Sequence, residues 1–125
     1  MADNNGKALT IARTYFDAMA NKDVDRIISI SADRVVCTSP VGQLQGVQAF
    51  RGFQEGFAKM IKTLTLVAAF GDADQAVIVY ESETYPVPSA MVAEHVIVKN
   101  GKITSTTVIY DGTPFAAYMK TAQPH

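Results

Sequence analysis

Cysteine is almost missing from this sequence. Cys37 stands alone among 125 residues, which excludes an internal disulfide and any cysteine-cluster metal site. Histidine is nearly as scarce: there are two, one of them the last residue, His125, and that is too few for a zinc centre. Net charge is low, with 11 Lys and Arg against 12 Asp and Glu, so there is no basic footprint for nucleic acid or an anionic membrane. No apolar run approaches the ~20 residues of a membrane span. The opening MADNNGK lacks the apolar core of a signal peptide. Glycine-rich phosphate loops are absent as well. The expectation is a cytoplasmic domain with no metal, no cofactor, and neither nucleic acid nor membrane as partner.

Apolar residues, by contrast, are plentiful. They make up 48% of the chain against 18% charged, enough for one core. One domain over residues 1–125 is expected, with 1–6 and 121–125 loose. Leu9, Ile11, Ala12, Tyr15, Phe16 and Met19 fall on one face of a helix. Asp23 is placed to cap a second helix carrying Val24, Ile27, Ile28 and Ile30. Residues 33–38, with Val35 and Val36, suit a strand that ends at Pro40 and Gly42. Val47, Phe50, Phe53, Phe57, Met60 and Ile61 repeat at helical spacing after Gly46. Gly52 and Gly56 on that helix read as small residues for close packing on a sheet.

From Thr63 onward the pattern is strand-like: 64–70, 75–85, 91–98 and 103–110. Asn100-Gly101 is a type I′ hairpin signal between the last two. Helices gathered ahead of an antiparallel meander give an α+β fold. A sheet that curls over three helices leaves a pocket between them.

Several stretches carry a family resemblance. They are Tyr15-Phe16-Asp17-Ala18-Met19, Lys22-Asp23-Val24-Asp25, Ala32-Asp33, Ser39-Pro40-Val41-Gly42 with Gly46, and Ala93-Glu94-His95-Val96 ahead of Asn100-Gly101-Lys102-Ile103. Over residues 8–116 the chain resembles the nuclear transport factor 2-like superfamily, in its ketosteroid isomerase and SnoaL-like branch. The resemblance implies a cone: a curved, mostly antiparallel sheet wrapped on three helices, an internal pocket, and often a homodimer. Ketosteroid isomerases use a tyrosine and a protonated aspartate as oxyanion donors and a second aspartate to move the proton. By resemblance the tyrosine falls on Tyr15, the protonated acid on Glu94, and the proton-moving aspartate on Ser39. A serine hydroxyl is too weak a base to take a carbon-bound proton unaided. The epoxide-hydrolase branch, with an arginine between strand acids, does not fit, because Arg13, Arg26, Arg34 and Arg51 all precede the strand-rich half.

Each candidate has a plain reading beside the functional one. Tyr15 is either a core aromatic or a pocket donor. Glu94 interrupts an otherwise apolar strand, so it is solvent-facing, paired, or buried and protonated. If Glu94 points inward, His95 points out. Glu81 shares a face with Val77 and Val79, and Tyr80 with Ser82, and the pattern alone does not say which face is inner. The resemblance puts Val79 and Glu81 inward, making Glu81 the substitute base. Cys37 and Ser39 share one parity and are candidate pocket residues, though a lone cysteine is usually a small core hydrophobe. The remaining ligand-binding candidates are Phe53, Phe57, Val96 and Tyr110.

Two functions are open on this reading. One is an isomerase, cyclase or dehydratase acting on an apolar carbonyl compound, with Tyr15 and Glu94 stabilising an enolate. The other is a non-catalytic module that binds an apolar small molecule or dimerises. A homodimer is expected in either case, through an outer sheet face carrying Ile78, Tyr80, Ile97 and Ile109.

Overall fold

The structure is a computed structural model describing residues 7–40 and 42–114. The segments expected to be loose, 1–6 and 121–125, and Val41 of the turn lie outside the described residues. Helix α1 (Lys7–Ala20) is followed by α2 (Val24–Ser29), strands β1 (Ser31–Ser39) and β2 (Gly42–Gln45), and helix α3 (Val47–Met60). Four strands complete the order: β3 (Ile61–Gly71), β4 (Gln75–Thr84), β5 (Ala90–Lys99) and β6 (Lys102–Ile109). The strands form one open curved sheet in the order β2-β1-β6-β5-β4-β3. Only the β1–β6 pairing is parallel. Register shifts in β1, β3 and at the β5–β6 turn are the bulges that bend it. The α+β expectation is therefore met.

Local chemistry accounts for the helices. Ala8, Ala12, Tyr15, Phe16 and Met19 of α1 are buried at three- and four-residue spacing against β3, β4 and β5. The helix stops where Lys22 turns left-handed (φ 60°), and the Asp23 carboxylate caps α2 by accepting the Arg26 N–H at 3.2 Å. Gly46 precedes α3 with φ 94°, a conformation that suits glycine. Asn100 and Gly101 have φ of 53° and 78°, as a type I′ hairpin requires.

Four expectations need correction. Ile61, read as part of the third helix, is extended (φ −69°, ψ 130°) and opens β3, because it pairs with Thr84 of β4 and is buried there. Strand β2 was not expected: GQLQ has a single apolar residue, and it becomes a strand by pairing back on β1 from Ser39↔Gly42 to Val36↔Gln45. Gly52 and Gly56 do not sit tight on the sheet, since a Cβ at either position meets nothing within 4 Å.

The fourth concerns β4. Ala76, Ile78, Tyr80, Ser82 and Thr84 are buried, whereas Val77, Glu81 and Glu83 are exposed and Val79 is half-buried on their side. Register explains this. Glu94 points inward, and its cross-strand partner is Ile78, so the even-numbered residues of β4 must share its face. Ile78 and Tyr80 therefore belong to the core and not to the outer face. That face instead exposes Phe70, Val77, Met91 and Ile109.

Candidate functional site

Between α1, α3 and the concave sheet lies a cavity of about 450 Å³. Helix α3 supplies Phe53, Phe57 and Met60, with Gly52 and Gly56 between them, and α1 supplies Met19. The sheet supplies Tyr80, Ser82, Val92, Glu94 and Val108, with Tyr110 just beyond β6. The lining is overwhelmingly apolar, and its one carboxyl group among the described residues is Glu94.

Glu94 is 2% exposed. Its oxygens are taken up separately: the Tyr15 hydroxyl donates to Oε1 at 2.7 Å and the Tyr80 hydroxyl donates to Oε2 at 2.5 Å. Behind Tyr15, the buried Gln54 amide donates to the phenol oxygen at 3.1 Å. Ring packing holds both phenols in place, Phe50 lying 6.4 Å from Tyr15 and Phe16 lying 5.4 Å from Tyr80, centroid to centroid. The ion pairs among the described residues join Arg51 to Asp25 and to Glu55, and none reaches Glu94. Burial therefore pushes the Glu94 carboxyl up from its ordinary value, while the two phenol hydrogen bonds pull against that rise. Burial and the adjacent acid together push Tyr15 and Tyr80 well above the usual phenol range. These phenols stay neutral and act as hydrogen-bond donors.

The sequence candidates divide into three groups. Tyr15 and Glu94 meet, as expected, but Tyr15 stands behind Glu94 and is not part of the cavity lining. Phe53, Phe57 and Tyr110 line the cavity. Val96 and Cys37 are buried in the closed core: Val96 sits further along β5 than the cavity reaches, and no residue of β1 lines the cavity. Ser39 is half-buried at the β1–β2 turn, where its hydroxyl donates weakly to the Gly42 carbonyl at 3.4 Å, and it does not line the cavity. Glu81 and Val79 lie on the outer face, where Glu81 accepts from the Ser89 hydroxyl at 2.9 Å. The expectation that Glu81 replaces the base is overturned by register. His95 points out, as alternation required, and its Nε2 lies 2.7 Å from Gln75 Oε1.

Two members of the polar cluster, Tyr80 and Gln54, went unnoticed in the sequence, as did Met19, Met60, Ser82, Val92 and Val108 of the cavity lining. Tyr80 was grouped with the outer face, and only the β4–β5 register reveals otherwise. Gln54 is a polar residue on the apolar face of α3, four positions from Phe50, and that misplaced polarity was the available signal. Among the described residues, no group of His, Cys, Asp or Glu is arranged to hold a metal ion, and no helix is long and apolar enough to cross a membrane.

This combination of an open curved sheet and three helices packed on it is that of a known class. The chain belongs to the SnoaL-like domain family, whose model matches residues 12–106. A crystallised protein from Kribbella flavida is 38% identical, covering 93% of this chain and 96% of its own, with a TM-score of 0.87. More distant folds are also similar. A candidate ketosteroid isomerase from the same organism is 15% identical over 88% of this chain and 82% of its own, with a TM-score of 0.78. A candidate polyketide cyclase from Sinorhizobium meliloti is 21% identical over 79% of this chain and 93% of its own, with a TM-score of 0.71. No curated protein matches the chain.

Proposed function

We propose that this protein holds an apolar carbonyl compound in the cavity with the carbonyl oxygen at the Tyr–Glu cluster. There it stabilises the enolate form in a reaction of the isomerase, cyclase or dehydratase type. The observation that carries this is Glu94, buried with two phenols at the polar end of an otherwise apolar cavity. A buried acid without a cation costs stability, and a site that binds an oxygen-bearing ligand gives that cost a use. The chemistry carried by the names of the similar folds supports the same class. We further propose that the chain works as a homodimer through the exposed outer face of the sheet.

One observation favours a non-catalytic second reading. The described lining holds no second carboxylate, since Ser39 stands where the family's proton-moving aspartate falls and Glu81 faces out. Calorimetry with acetylnaphthalene and its hydrocarbon isostere isopropenylnaphthalene tests the pocket. The ketone should bind at least tenfold tighter, and equal or absent binding would dismiss the carbonyl site. Deuterium exchange at the ketone methyl, followed by NMR, then separates the two readings. Protein-dependent exchange supports the enolate chemistry, and tight binding without exchange supports the binding module.

A further inference from the structure

The hydrogen bonds around Glu94 count out in only two ways. When Glu94 is ionised it accepts from both phenols, as the geometry shows: Tyr15 to Oε1 and Tyr80 to Oε2. Each phenol has one proton, so both are then spent on the acid. Of the two tyrosines, only Tyr80 lines the cavity, and it then presents nothing but an oxygen lone pair to a ligand. When Glu94 carries a proton, the Oε2–H donates to the Tyr80 oxygen and the Tyr80 proton is released to turn into the cavity. The whole chain then runs in one direction, from the Gln54 amide to Tyr15, to Glu94, to Tyr80, and on to a ligand acceptor. Gln54 enforces that sense, because its amide fills an acceptor site on Tyr15 and leaves the Tyr15 proton no better partner than Glu94.

We propose that Tyr80 is the residue that hydrogen-bonds the ligand oxygen, and that the protonation state of Glu94 sets whether this tyrosine offers the ligand a donor or an acceptor. The proposal rests on the carbonyl-pocket reading and assigns its contact residue. Tyr15, fully buried behind Glu94, is a positioning residue. The site therefore selects a ketone or aldehyde oxygen when Glu94 is neutral and a ligand hydroxyl when it is charged. A carbonyl oxygen can only accept whereas a hydroxyl can also donate, so the two protonation states of Glu94 distinguish these two kinds of ligand.

Few groups that titrate face Glu94 from the elements around it. Tyr15 faces it from α1 and Tyr80 from β4, and Cys37 of β1 is close enough for its own titration to feel the acid. Gln54 of α3 and Val108 of β6, the register partner of Glu94, do not titrate. Tyr110 lines the same cavity beyond β6. The three phenols are all shifted upward, so Glu94 is the group that changes charge in the range where binding is measured.

The test is the pH dependence of acetylnaphthalene affinity in three proteins. In the wild type, affinity should fall as pH rises through the Glu94 titration, tenfold per unit once the acid is ionised. Glu94→Gln is close in shape to the neutral acid and donates its amide to Tyr80. It should bind the ketone with a flat pH profile at the wild type's low-pH affinity. Tyr80→Phe should lose at least tenfold at low pH and show no pH dependence. A ketone that binds the wild type well but is indifferent to Tyr80→Phe, or a pH profile unchanged in Glu94→Gln, would overturn the assignment while leaving the pocket reading intact. Failure of the ketone to bind any of the three at any pH would instead strike the pocket reading itself. Naphthylethanol is the control for the donor–acceptor switch: as a hydroxyl that both donates and accepts, it should bind the wild type with a much flatter profile. A fall as steep as the ketone's would count against the switch.

Discussion

Away from water, a carboxyl group must find its hydrogen bonds within the protein, and Glu94 finds them in two phenols. That is enough to satisfy its oxygens but not to offset the cost of a buried charge, so the fold prefers the acid neutral. In the unfolded chain the group titrates near 4.5. Above that pH the unfolded chain has released a proton that the folded chain still holds. Stability must therefore fall as pH rises from there to the higher folded value, and level off beyond it. Glu94→Gln has no proton to release. Relative to the wild type, this variant should gain stability steadily over that window, by about 1.4 kcal/mol for each unit by which burial raises the acid. Urea denaturation at stepped pH measures the difference, and a constant gap between the two proteins would show that Glu94 folds as a charged group. Glu94→Ala strands two buried hydroxyls and opens a void, and should cost about 2–4 kcal/mol. At this scale the sequence was informative where a residue broke its local pattern. An acid in Met91–Val98 and a tyrosine on an apolar helix face singled out Glu94 and Tyr15, and the family resemblance paired them. Tyr80 broke no pattern, since the residues just before it, Ala76 to Val79, are apolar on both faces, and nothing local marked it as the second phenol.

Among the elements, the sharpest contrast lies between glycines. A Cβ at Gly71 would come within 2.6 Å of the Ala76 Cβ and 2.7 Å of the Gln75 carbonyl, both across the tight β3–β4 turn. Gly71→Ala should therefore destabilise the protein by about 1–3 kcal/mol, the usual cost of forcing atoms into filled space. At Gly56, in the middle of α3 and beside the cavity, a Cβ meets nothing within 4 Å. Gly56→Ala should raise stability by roughly 0.5–1 kcal/mol through reduced backbone entropy of the unfolded chain. Thermal unfolding of the two variants should shift in opposite directions. A stable Gly71→Ala would mean that the turn opens readily. A destabilised Gly56→Ala would mean that α3 sits closer to the sheet than described. Element existence was legible almost throughout, because helical spacing, the Asp23 cap and the Asn100-Gly101 turn are local signals. What was not legible was sidedness in β4 and the edge strand β2. Both depend on pairing across the sheet, and the segment from Tyr85 to Ser89 between β4 and β5 does not dictate a register the way a two-residue hairpin does.

At the scale of the whole molecule, the described residues form one sheet with two faces, and the three described helices pack on the concave one. On the other face Phe70, Met91 and Ile109 are each more than half exposed, and Val77 is 37% exposed. Register places several of these together: Phe70 pairs with Val77, Val79 with Ala93, and Ala93 with Ile109, so the apolar side chains run across β3, β4, β5 and β6 as one band. Polar groups border it: Glu81 lies across from Met91, and His95, hydrogen-bonded to Gln75, lies across from Val77. A band of this kind is self-complementary, and a two-fold axis through it would bury it against its own copy. The proposed homodimer follows from that geometry rather than from the residues first expected there, since Ile78 and Tyr80 are core. Static light scattering at micromolar concentration should return twice the chain mass for the wild type. Met91→Lys combined with Ile109→Lys sets four cations into the shared face of a dimer and should return the single-chain mass with circular dichroism unchanged. The cavity lies on the opposite face of the sheet, so the double variant should still bind acetylnaphthalene if the site is complete within one chain. Lost binding in a folded monomer would mean that the second copy holds the cavity in shape, and a wild type that scatters as a monomer would refute the dimer.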